Sequence, residues 1–80
     1  SFYARKMFGD AARIYATNLQ RYPEGGKAPD NMVKLGMALA NLERTKEACQ
    51  AFGELDRKFP DMPANVRQAA ERGRNAASCP

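Results

Sequence analysis

Eighty residues and 8.9 kDa make one small domain, and chains of this size bury only about 60–65% of their extended surface, which excludes a two-domain enzyme. An apolar fraction of 44% and a charged fraction of 28% belong to a chain that folds. Thirteen Lys and Arg against nine Asp and Glu give +4 and a pI near 9.4, an attraction for acidic partners that names none of them.

The chain opens on SerPheTyrAlaArgLys, with neither an initiator Met nor a signal-peptide layout, and reads as a piece of a longer protein. Residues 1–23 are expected to hold a frayed helical remnant and then a helix from Asp10 to Tyr22, closed by Pro23. Gly25, Gly26 and Pro29 punctuate a loop. Met32, Leu35, Gly36, Leu39 and Leu42 step by three and four, which predicts a helix from about Asp30 to Leu42 with Pro29 in its first turn. A short turn follows, with Thr45 expected as N-cap. Ala48, Cys49, Phe52, Leu55 and Phe59 mark the inner face of a second helix ending before Pro60. After AspMetPro at 61–63, Ala64 to Ala77 reads as one more helix. Alternating apolar and polar residues, the mark of a strand, run over no useful length. The chain reads as all-α.

The helices repeat. AlaAlaArgIleTyr at 11–15 and ArgTyrPro at 21–23 return as AlaCysGlnAlaPhe at 48–52 and LysPhePro at 58–60. The offset of 37 pairs Ala11 with Ala48, Tyr15 with Phe52, Tyr22 with Phe59, Pro23 with Pro60 and Gly36 with Gly73. The unit is an αα-hairpin that cannot bury its apolar face alone, so units stack on one another.

With no His and no Trp, and only Cys49 and Cys79, the composition offers no ordinary metal site and leaves acid–base work at neutral pH to a Glu, Asp or Lys of strongly shifted pKa, so neither a cofactor nor an enzymatic activity is expected. GlyGly at 25–26 lacks the strand and the Lys-Ser/Thr of a phosphate loop. The +4 charge raises nucleic-acid binding, but Tyr15, Phe52 and Phe59 are assigned to the core and leave no aromatic-interleaved basic stripe. No stretch approaches the roughly 20 apolar residues that cross a bilayer.

Gly36, Ala48, Phe52 and Pro60, with Met32 and Leu35 before them, resemble the tetratricopeptide repeat, in which a glycine, a small residue, an aromatic and a closing proline recur at this spacing. Ala11, Tyr15 and Pro23 fit the end of a preceding unit, and Ala69 and Gly73 the start of a following one. The resemblance implies stacked hairpins in a short right-handed solenoid: residues 1–23 end one repeat, 29–60 form a complete one, and 64–78 are a C-terminal cap helix. The period exceeds the common 34 residues by three. That longer period and the junction ArgTyrProGluGlyGlyLysAlaProAspAsn are similar to the C-terminal domain of the YbgF/CpoB family. This second resemblance implies a periplasmic protein of Gram-negative bacteria, exported by a signal peptide and trimerised by an upstream coiled coil. It also implies association with TolA of the Tol-Pal system and a part in coordinating peptidoglycan synthesis with outer-membrane constriction at division.

Stacked first helices would line a groove suited to a peptide or a partner helix. With Met32, Leu35 and Leu39 turned inward, Asp30, Val33, Met37 and Asn41 are expected on the groove side. Arg67, Ala70 and Arg74 form the corresponding stripe of the cap helix, and Tyr3 stands at the far edge. The bland alternatives are a solvated face for the arginines and plain packing for Val33 and Met37. Lys34 and Lys46 read as solubilising.

Cys49 lies on the side of its helix that meets the next unit, and Cys79 just past the end of the following helix, which returns to that edge. A bridge between them would close about 30 residues, worth roughly 3.5 kcal/mol by loop entropy, and would persist in an oxidising compartment. The alternative is a buried apolar Cys49 with Cys79 a free thiol. Beside the Tol-Pal reading stands a generic repeat scaffold, such as a chaperone adaptor or an outer-membrane assembly subunit, holding a peptide or a partner helix.

Overall fold

A computed structural model describes residues 2–80, so that residue 1 of the expected first segment lies outside the described residues. These residues form four α-helices: α1 (Phe2–Arg21), α2 (Ala28–Asn41), α3 (Thr45–Lys58) and α4 (Ala64–Ala76). Among the described residues there is no strand.

α1 is one continuous helix of 20 residues, where a frayed remnant and a separate helix from Asp10 were expected. Its half-buried side runs through Ala4, Phe8, Ala11, Tyr15 and Leu19 at steps of four and three, a stripe that does not break at Asp10. Gly9 costs little there: a Cβ would meet nothing within 4 Å. Pro23 ends the helix, and Arg21 lies in its last turn, where a cation suits the helix dipole.

α2 begins one turn after Gly26, with Pro29 in its first turn and Asp30 at the positive end of the dipole. It ends in a Schellman turn: Arg44 N–H donates to the Leu39 carbonyl (2.9 Å) and Glu43 N–H to that of Ala40 (3.0 Å), with Glu43 left-handed at φ 62°. α4 ends the same way, Cys79 N–H donating to the Arg74 carbonyl (2.9 Å) and Ser78 N–H to that of Asn75 (3.1 Å), with Ser78 at φ 56°. The turn after α2 also explains why Thr45 is not the N-cap. Arg44 occupies that position without a side-chain cap, its carbonyl taking the first bond from Ala48 N–H (3.0 Å), so Thr45 is already helical. The Arg44 side chain instead forks onto Glu47 through Nε (2.7 Å) and Nη2 (2.8 Å).

α2 is the central helix. It packs against α1, α3 and α4, α3 also meets α4, and α1 packs on α2 alone. Phe52 sits at the centre with 0% exposure, its ring wedged between Gly36 of α2 and Gly73 of α4. A Cβ at Gly36 would stand 2.7 Å from Phe52 Cζ, and one at Gly73 closer still. Both glycines are therefore required by close approach rather than by backbone conformation. Ala48, Leu55, Val33, Met32, Leu39, Val66, Ala70 and Ala77 complete the core, and Met62 plugs it from the α3–α4 loop.

Cys49 and Cys79 are joined by a disulfide with Cα atoms 5.6 Å apart. The left-handed turn at Ser78 swings Cys79 back over the first turns of α3. The bridge fastens the free end of α4.

Candidate interaction surface

The residues assigned to the groove fall into three groups. Tyr3 (73% exposed), Asn41 and Arg67 are exposed, but they lie on α1, at the end of α2 and on α4 respectively. Val33 (2% exposed) and Ala70 (1%) belong to the core, and Met37 packs against it. Placing Val33 and Ala70 on an open stripe is thus corrected: α4 lies over α2, and the flank of α2 turned away from Leu35 is covered by it. Arg74 is half-buried and engaged within the fold. Its Nη2 donates to the Phe52 carbonyl (2.8 Å) and pairs with Asp56, and its guanidinium carbon lies 6.0 Å from the Phe52 ring centre. Arg67 donates to the Pro60 carbonyl (2.8 Å). Both arginines therefore position α4, and the eight residues do not share one open face.

Asp30, half-buried in the first turn of α2, pairs with Lys34 at 3.0 Å. The hydrogen bond to Asp30, and then its charge, hold the Lys34 ammonium above the ordinary lysine range. This contribution is complete at neutral pH and is lost only as the solution becomes alkaline enough to deprotonate Lys34. Both residues border an open depression of about 870 Å3 that also takes in Asn18, Tyr22, Asn31 and Asn65.

A second depression, of about 640 Å3, lies where α1 and α3 straddle α2 without touching each other. Leu35, Leu39 and Leu42 floor it beside Gly9, Ala12 and Ala16, while Lys6, Arg13, Arg44 and Glu47 stand at its rim. Sequence reasoning turned these leucines inward, but Leu35 and Leu42 are only half-buried because the facing side of α1 is made of small residues. The run Gly9, Ala12, Ala16 was the available signal.

α1 buries no residue fully, and Tyr3, Met7 (56% exposed) and Ile14 (59%) form an apolar stripe on its outer side. Among the described residues no group of three or more Cys, Asp or Glu converges to hold a metal ion, and no helix is long and apolar enough to cross a membrane.

No known protein family, curated protein or solved structure matches the chain.

Proposed function

We propose that this chain is a tetratricopeptide-type interaction module of the YbgF/CpoB kind: a short right-handed solenoid of hairpins, closed by α4, that works in the periplasm of a Gram-negative cell. In this reading it binds TolA of the Tol-Pal system and serves the coordination of peptidoglycan synthesis with outer-membrane constriction. Upstream sequence supplies export and a trimerising coiled coil, and the module itself binds protein rather than nucleic acid, needs no cofactor and catalyses nothing.

One observation carries most of the weight. Phe52 is seated between Gly36 and Gly73, two glycines 37 residues apart, which is what is expected of a second helix packed between the first helices of two successive units. Two further features support the reading. α2 meets the helices on both sides of it, as the first helix of a stacked hairpin does. The Cys49–Cys79 bridge suits an oxidising compartment such as the periplasm.

Calorimetric titration of the oxidised chain with the soluble part of TolA tests the proposal. Saturable binding at micromolar concentration is expected, and its absence overturns the TolA assignment. The second reading, a peptide-holding scaffold or chaperone adaptor, is favoured by the leucine-floored depression beside α1. In that case unrelated apolar peptides compete with TolA.

A further inference from the structure

The offset of 37 residues pairs helices as well as residues. α3 packs on α2, which precedes it, and on α4, which follows it, whereas α1 packs only on α2, the helix that follows it. The neighbour that α1 lacks is therefore the counterpart of α2. Position by position, α1 lies more open than α3. Ala48, Phe52 and Leu55 are fully buried, while their counterparts Ala11, Tyr15 and Asn18 are half-buried. Ile14, 59% exposed, stands where Ala51 packs against the core. Among the described residues, the large apolar side chains left in water are Phe2, Tyr3, Met7, Ile14 and Tyr22, all on α1 or just past its end.

The opposite end of the array is finished. Where α2 carries Met32, Leu35 and Leu39, α4 carries Ala69, Arg72 and Ala76, so it presents no such apolar row to a further helix. A second copy has no helix of the right kind to give: its α4 lacks the row, and its α2 is already covered by α1, α3 and α4. The correspondence also reaches into α1 itself. Phe2, 87% exposed, pairs with Leu39, which is buried near the end of α2. Arg5, Lys6 and Met7 pair with Leu42, Glu43 and Arg44, the turn that joins α2 to α3.

We infer that the open side of α1 seats a helix of the α2 type, formed by the residues immediately upstream of Ser1, and that α1 breaks at Arg5–Met7 when this helix folds back on it. This rests on the repeat reading of the chain and adds the occupant, its residue pattern and the change in α1. Docked as α2 docks on α3, the helix ends near Ala4, the counterpart of Asn41, and carries Phe2 into the interface. Tyr15 then meets a small residue as Phe52 meets Gly36. Counting back 37 from Gly36, Leu35 and Met32 places that small residue two positions before Ser1, and large apolar residues three and six positions before Ser1.

The test compares the oxidised 80-residue chain with two longer ones. In one, residues 1–7 are replaced by a copy of the segment from Gly25 to Arg44, which keeps the offset; the other is extended to the same length by the protein's own upstream residues. In both, amide exchange between Ala11 and Leu19 slows about tenfold or more relative to the 80-residue chain. In the natural extension, Cα chemical shifts at Arg5–Met7 leave the helical range. Ile14→Glu leaves the melting temperature of the 80-residue chain in place, since Ile14 is mostly in water, and lowers that of both longer chains by several degrees. Absence of the slowing in either longer chain overturns the inference, as does an Arg5–Met7 segment that stays helical in the natural extension. A dimer of the 80-residue chain in sedimentation equilibrium that Ile14→Glu dissolves overturns it in favour of a second copy. Protection of α1 gained only on adding TolA overturns it in favour of a partner's helix. TolA binding by an extended chain whose α1 stays open keeps the proposed function and removes this occupant; a protected α1 in a chain that binds no TolA does the reverse.

Discussion

Tyr15 and Phe52 occupy the same place in the repeat, yet Phe52 is wholly enclosed between Gly36 and Gly73 while Tyr15 is half-buried on a helix with one neighbour. Their helices carry the same small-aromatic pattern. The difference shows that burial in this molecule is set by how many helices a segment touches, and not by its own apolar spacing. α3 is the fixed part of the molecule, and α1 is the part with surface to offer.

Removing the two aromatics should expose that difference most. Phe52→Ala is expected to cost about 3–5 kcal/mol and to leave little folded protein at room temperature. Tyr15→Ala, in partial contact on one side, should cost about 1 kcal/mol, read as a shift in denaturant midpoint. Equal costs would break the comparison. Next in size, reducing the Cys49–Cys79 bridge should lower stability by about 3 kcal/mol, because it frees a loop of 30 residues and unties α4. The loss should appear first in α4, as faster amide exchange there than in α2, and leave α1 unchanged. A smaller effect is expected from Arg74→Met, which keeps the stem over Phe52 but removes the bond to its carbonyl and the pair with Asp56. That loss is about 1–2 kcal/mol, measured by urea titration. Glu43→Gly should act in the other direction, relieving the left-handed residue after α2 for a gain of about 1 kcal/mol, with the exposed pair to Arg5 worth little.

Acid and alkali should have the slightest effect. Glu54 is held below the ordinary carboxylate range, first by a hydrogen bond from Arg57 and then by its charge. Its contribution is present above the unfolded pKa and fades as pH falls through the folded one. Lys34 behaves oppositely and loses its contribution only in alkali. The melting temperature should therefore stay nearly level from about pH 5 to about pH 9, and a step near neutrality would contradict this.

The helical class, the approximate ends of α2 and α3 and the central place of Phe52 were legible in the sequence, because they depend on local spacing and on Pro23, Pro29 and Pro60, whereas Tyr15 and Phe59, assigned to the core with Phe52, are only half-buried. The Cys49–Cys79 bridge was legible as one of two options, since Cys49 lies near the start of α3 and Cys79 just past the end of α4, which returns to that edge. What periodicity could not supply was the number of neighbours around each helix. Val33 and Ala70 were placed on an open face because three-and-four spacing identifies a side of a helix without saying whether another helix lies over it. Arg74 looked like a surface charge for the same reason, although its partners Phe52 and Asp56 are 22 and 18 residues away. The unbroken α1 was missed although its first turns hold no breaker beyond Gly9, which the helix passes through, and the stripe from Ala4 to Leu19 keeps one phase. The open stripe at Tyr3, Met7 and Ile14 became visible only once α1 was seen to have a single neighbour.

Amide hydrogen exchange of the oxidised chain, followed residue by residue, tests most directly whether α1 and α3 differ as their surroundings dictate. The core amides of α3 should exchange only through global unfolding, while those of α1 open locally with protection at least tenfold lower. Equal protection in the two helices of the free chain would contradict the account.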